Sequence, residues 1–154
     1  MLTLVSPVDL FEARQLYADC LREGLFKPGR RGLIARQLAG GAMMGFEKDG
    51  RLIALMVATP TDLITDGLPT LEISVCGRRA ECAALMLPLA RLARLTLDAW
   101  LHDGTVALCC VVKAGHRPGE KLARLGLFGR MQSENGLQLW TRYPDGRDQD
   151  PDLR

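Results

Sequence analysis

Several things are scarce in this chain, and each scarcity excludes a class of function. Strong charge of one sign is missing: 20 basic residues face 18 acidic ones, a net charge of +2, and the isoelectric point is about 8.4. So mild a balance gives no footing for nucleic acid or an anionic membrane surface. Arginines adjoin one another only at Arg30-Arg31 and Arg78-Arg79, which read as solvated helix starts. Long apolar runs are missing too, because Arg or Pro interrupts each one before membrane-spanning length. The opening "MLTLVSPVDL" has neither a basic lead nor an extended apolar stretch, so a cytoplasmic protein is expected. Metal-type spacing is absent: there are 2 histidines, and none of the 5 cysteines forms a CxxC pair. An odd number of cysteines without such spacing fits reduced, mostly buried thiols. Vicinal Cys109 and Cys110 lie in an apolar strand-like run that turns one of them to each sheet face; a redox role for the pair is the other reading.

What is present describes one ordinary domain. Apolar residues make up 47% and charged residues 25% of 154, enough to bury a core. Ser6 and Pro7 read as the cap and first turn of a helix whose apolar stripe is Leu10, Phe11, Ala13, Tyr17, Cys20 and Leu21. A second helix is expected from Arg31 to Ala39, stopped by Gly40-Gly41. Asp49-Gly50 is a two-residue hairpin turn between strands 42–48 and 51–59. A loop over 60–69 leads to strand 70–76. A long helix follows over 79–102, in which Pro88 forces a kink or shifts the first turn. Strand 105–112, "TVALCCVV", is apolar throughout and is expected to be covered on both faces. A helix over 118–125 ends at Gly126, and strands 127–132 and 137–142 flank a turn at Asn135-Gly136. The expected fold class is α/β: a single domain over 1–142 with a mixed central sheet flanked by helices, antiparallel at both ends and with strands 70–76 and 105–112 parallel. Residues 143–154 form a polar tail behind an edge-forming strand 137–142.

This order of elements, with "KLARLGLF" at residues 121–128, resembles the GNAT (GCN5-related N-acetyltransferase) family. The resemblance implies a single GNAT-like domain and places an acyl-CoA pyrophosphate at the turn after strand 70–76. Cys76, Gly77, Arg78, Arg79, Ala80, Glu81 and Cys82 are the cofactor-binding candidates there. Set against the family's Arg/Gln-x-x-Gly-x-Gly/Ala, the sequence reads Arg79-Ala80-Glu81-Cys82-Ala83-Ala84. Arg79 and Ala84 match, whereas Cys82 replaces a glycine and Glu81 adds a like charge that costs about 1 kcal/mol near a surface. The cofactor expectation is therefore none, or acetyl-CoA held weakly.

The family's other functional positions are altered as well. Its general-acid tyrosine falls at Leu122, which has no proton to donate, and its asparagine falls near Gly115. Such acid help is worth roughly 10²–10⁴-fold. Glu72 and His116 remain as catalytic candidates if the protein is an enzyme. Glu72 reads equally as an outward residue between Leu71 and Ile73, and His116 as a surface-loop histidine. His102 suits a helix C-terminus. Ser74 and Cys76 have no base near them in sequence.

The C-terminal part, "GHRPGEKLARLGLFGRMQSENGLQLWTR", is similar to small GNAT-like virion-assembly proteins of short-tailed bacteriophages. That likeness implies a protein-binding module, cytoplasmic or virion-associated in its localisation, with other proteins or virion components as partners. The contacts would come through Trp140, Tyr143 and the tail 143–154. Trp140 reads equally as a core residue of the last strand. An acetyl-CoA-dependent N-acetyltransferase acting on a small amine or protein amine is the competing function.

Overall fold

A computed structural model of the chain describes residues 1–24 and 39–145, and for Arg130 and Met131 the backbone alone. The elements in order are β1 (Leu2–Val5), α1 (Leu10–Arg22), β2 (Ala42–Lys48), β3 (Arg51–Thr65), β4 (Leu68–Gly77), α2 (Arg79–Ala83), α3 (Met86–Leu101), β5 (Ala107–Lys113), α4 (Arg117–Leu125), β6 (Gly129–Glu134) and β7 (Leu137–Arg142). The seven strands make one mixed sheet in the order β1-β2-β3-β4-β5-β7-β6. Thr70, Leu71 and Glu72 of β4 pair parallel with Ala107, Leu108 and Cys109 of β5, as expected. The other described pairings, β1–β2, β2–β3, β5–β7 and β6–β7, are antiparallel. All but Ala39 of the helix expected over 31–39, and residues 146–154 of the tail, lie outside the described residues.

Four expectations are corrected. Asp9, not Ser6, caps α1: the Glu12 N–H donates to its carboxylate at 3.0 Å. The buried stripe is consequently Ala13, Leu16, Tyr17 and Cys20, while Leu10 and Phe11 are 48% and 71% exposed. The loop over 60–69 is a hairpin instead. β3 runs on to Thr65, and Asp66 and Gly67 turn the chain with φ of 48° and 80°. These are the two left-handed positions that a tight hairpin demands, as at Asp49-Gly50 and Asn135-Gly136. The long helix is broken into α2 and α3. A proline ring collides with the carbonyl four residues earlier; for Pro88 that residue is Ala84, where α2 ends. Pro88 then sits in the first turn of α3, where its missing N–H costs nothing. Finally, β7 is not an edge strand: it lies between β5 and β6, and β6 is the edge.

Chain contacts divide into two compact units. The first comprises residues 1–59 and 74–89, the second 60–73 and 90–154. In the first, the stripe of α1 packs on Leu52, Leu55 and Cys76, with Val5 and Val8 against it. In the second, Ala107, Leu108, Cys109, Leu97, Leu101, Phe128 and Trp140 are buried. β5 is covered on both faces only in its first half, since Val111 is 48% exposed. Tyr143 is also buried, at 4% exposure.

Candidate functional site

The turn from β4 into α2 belongs to the first unit. Three of its backbone amides are already engaged. The Arg78 N–H donates to the Ile53 carbonyl at 3.0 Å and the Cys82 N–H to the Arg78 carbonyl at 2.9 Å. The Arg79 N–H donates to the Glu23 carboxylate at 3.1 Å, so an internal anion holds the first amide of α2. Glu23 is the C-cap residue of α1.

Three side chains of the turn are engaged as well. Arg78 is 13% exposed and folds inward: its Nε and Nη2 donate to Asp19 Oδ2 at 3.0 and 2.7 Å, and its Nη1 donates to the Leu52 carbonyl. Glu81 pairs with Arg51 at 3.0 Å. Cys82 fills the space that glycine would leave open. Its Sγ donates to the Ile53 carbonyl at 3.5 Å and would lie 2.6 Å from a Cβ placed on Gly77. Gly77 is thus required by packing, with Ala54 Cβ at 3.1 Å and the Ile53 carbonyl at 3.2 Å from the same point.

As bonded, this turn does not fit a pyrophosphate. Cys76 is buried in the apolar cluster, Arg78 is turned away, and Arg79 and Ala80 are the exposed members. The sequence-level expectation of an altered cradle rested on Glu81 and Cys82. The structure adds Asp19 and Glu23, which sequence reasoning missed. They sit 59 and 56 residues from their partners, and nothing local in the sequence signals such pairs.

The second unit holds the remaining candidates. His116 is the N-cap of α4: its Nδ1 accepts the Gly119 N–H at 3.2 Å. A Cβ on Gly119 would come within 2.7 Å of that nitrogen, so the cap itself requires glycine. His116 is exposed, as a surface-loop histidine would be, and caps a helix. Glu72 is half-buried on β4 opposite Cys109. Burial, with Glu72 adding to it, pushes the Cys109 thiol up to about 11. Burial again, then Cys109 and Glu72, push Cys110 to about 12. Neither thiol is poised as a nucleophile. Leu122 is half-buried in α4, and Gly115 donates its N–H to Glu120 at 3.2 Å. Glu120 also accepts from Gln138 at 3.0 Å, and Gln138 accepts from the Trp140 indole at 3.1 Å. Arg124 lies 5.7 Å from the centre of the Trp140 ring, a cation–π distance. Trp140 is therefore a core residue, and with Tyr143 it offers a partner no exposed surface: both are 4% exposed. His116 and Glu72 are not joined by any described hydrogen bond. Among the described residues no three His, Cys, Asp or Glu side chains group as a metal would need, and no helix is long and apolar enough to cross a membrane.

A seven-stranded mixed sheet with this order and a single parallel pair between β4 and β5 has many solved counterparts. An acetyltransferase of the GNAT family from Streptococcus pneumoniae matches over 93% of this chain and 99% of its own, at 13% identity and a TM-score of 0.63. The fold is that of the GNAT acetyltransferases. A protein from Salmonella typhimurium named for acetyltransferase activity, solved with its cofactor acetyl-CoA, matches over 94% of both chains at 16% identity and a TM-score of 0.68. Mycobacterium smegmatis RimJ, in complex with CoA-disulfide, matches over 97% of this chain and 85% of its own at 12% identity, with a TM-score of 0.67. No protein-family profile matches the chain, and no curated protein matches it.

Proposed function

We propose that this GNAT-fold chain does not carry out standard acetyl transfer and serves as a protein-binding or assembly module. The supporting observation is the Glu23 carboxylate on the Arg79 amide, a negative charge at the turn to which the resemblance assigns an anion site. A phosphate would have to displace that carboxylate and then face both Glu23 and Glu81. Leu122 in place of the acid tyrosine points the same way. The C-terminal likeness names virion components as the partner class. The contacts would come from the tail beyond Tyr143, not from the buried Trp140 and Tyr143.

Calorimetric titration with acetyl-CoA tests the reading. The expected result is no affinity tighter than roughly 100 µM, about −5.5 kcal/mol. Low-micromolar binding would overturn it and favour a divergent N-acetyltransferase. That second reading draws on structural neighbours solved with acetyl-CoA and with CoA-disulfide, with Glu72 or His116 handling protons. Under it, Arg79→Ala weakens the measured affinity.

A further inference from the structure

The two faces of the sheet at β5, β7 and β6 are finished differently. One is closed by helices: Gln138 of β7 donates to Glu120 of α4, and Arg142 donates to Asp98 of α3. Val112, Gln138, Trp140 and Arg142 on that side are buried. The alternate residues turn to the opposite face. There Val111 stands beside Leu139 and Lys113 beside Leu137, and Gln132 and Glu134 of β6 flank the same two leucines. This end of the face is open: Val111 is 48% and Leu137 45% exposed, and Leu139 is half-buried. A strand side turned to water ordinarily carries polar residues. Here β5 and β7 put a valine and two leucines on it instead.

The charges on this patch answer one another across a two-fold axis. Lys113, Leu137 and Glu134 form one cross-strand row with Leu137 in the middle. Lys113 and Glu134 are both exposed, and no described ion pair involves either of them. They stand on opposite sides of β7, two strand spacings or about 10 Å apart. Consider a two-fold axis laid along β7 in the plane where two such faces meet. It keeps every residue at its height along the strand and exchanges the two sides. Leu137 then meets Leu137 and Leu139 meets Leu139, while Lys113 of each copy lies over Glu134 of the other. Packed sheets stand about 10 Å apart with strands within about 30° of each other, a gap that an opposed lysine and glutamate span. We infer that this face binds a second copy of the chain, as an isologous dimer centred on Leu137 and Leu139.

The size of the patch sets the strength of the association. Its six residues are far fewer than the roughly 20–30 a side of a standard interface, so the dimer is weak and depends on concentration. The apolar centre supplies the attraction. The two ion pairs, exposed at the rim, fix the register more than the affinity. None of these residues belongs to the turn after β4, so the interface is independent of whether acyl-CoA binds.

The test is sedimentation equilibrium of the full chain from about 10 µM to about 1 mM. The expected result is a monomer–dimer equilibrium with a midpoint above about 100 µM, weakened by added salt. Lys113→Glu and Glu134→Lys should each weaken it by about tenfold, because each sets like charges together at both contacts. Both positions are exposed, so both variants should keep the thermal midpoint of the unsubstituted chain. An equimolar mixture of the two variants should associate again, since opposite charges then meet at both contacts of the mixed dimer. Contacts within one chain cannot produce that rescue. A chain still monomeric at about 1 mM, a dimer indifferent to both charge reversals, or a mixture no more associated than its components would each overturn the assignment.

Discussion

The turn after β4 and the loop before α4 are the two places to which the GNAT resemblance assigns site residues, yet they are built in opposite ways. The first is tied by groups far away in sequence: Asp19 on Arg78, Glu23 on the Arg79 amide, Arg51 on Glu81. The second is held by its own neighbours, His116 on Gly119 and Gly115 on Glu120. One region has its polar groups consumed by tertiary contacts. The other is stable by local capping, and its ties leave the outer face of the loop open to solvent. Position in a fold therefore does not predict availability for chemistry.

The sharpest way to break the contrast is at Arg78. Its guanidinium is mostly buried and paired with Asp19, so Arg78→Ala leaves Asp19 with Arg22 as its remaining described partner and removes the side-chain donor to the Leu52 carbonyl. It should lower the unfolding free energy by about 1–3 kcal/mol, read as a lower urea midpoint at unchanged slope. A loss well under 1 kcal/mol would mean the turn is not held by that pair.

A comparable effect is expected where packing alone is at stake. Gly77→Ala must push Cys82 Sγ and the Ile53 carbonyl aside, at about 1–3 kcal/mol. Combining it with Cys82→Ala should recover part of the loss, because the closest of the three atoms is then gone. Strict additivity in that double-mutant cycle would assign the strain to Ala54 and Ile53 instead.

The smallest change belongs to the locally built region. His116→Ala removes the N-cap of α4 and should cost about 1 kcal/mol, while His116→Asn or His116→Asp should restore most of it. A full loss of folding in His116→Ala would show that the loop is tied by more than its cap.

Legibility in the sequence followed the range of the interactions. Of the chain's Asx-Gly steps, Asp49-Gly50 and Asn135-Gly136 read directly as turns between strands, while Asp66-Gly67, which turns a further hairpin, falls in a stretch whose Asp, Pro and Gly residues suggest a loop. Pro88 announced a break, and its ring dictated that the break fall at Ala84. The strands around Asn135-Gly136 and the cap by Gly126 were visible because each depends on residues a few positions apart. Cys82 and Glu81 are visible in the sequence as departures from the motif of the resemblance, whereas the partners they take, Ile53 and Arg51, are not. Trp140 was ambiguous, because an indole on a final strand serves a core or an interface equally well until its neighbours are known.

By itself the sequence determined the α/β class, most of the strands and two of the hairpin turns. All of these rest on local backbone preference and side-chain type. The tertiary structure alone decided that β7 is interior, that Trp140 and Tyr143 are buried, and that Asp19 and Glu23 converge on Arg78 and Arg79. Contacts between residues more than fifty positions apart are set by how helix and sheet pack. No local preference records which carboxylate will arrive opposite which turn.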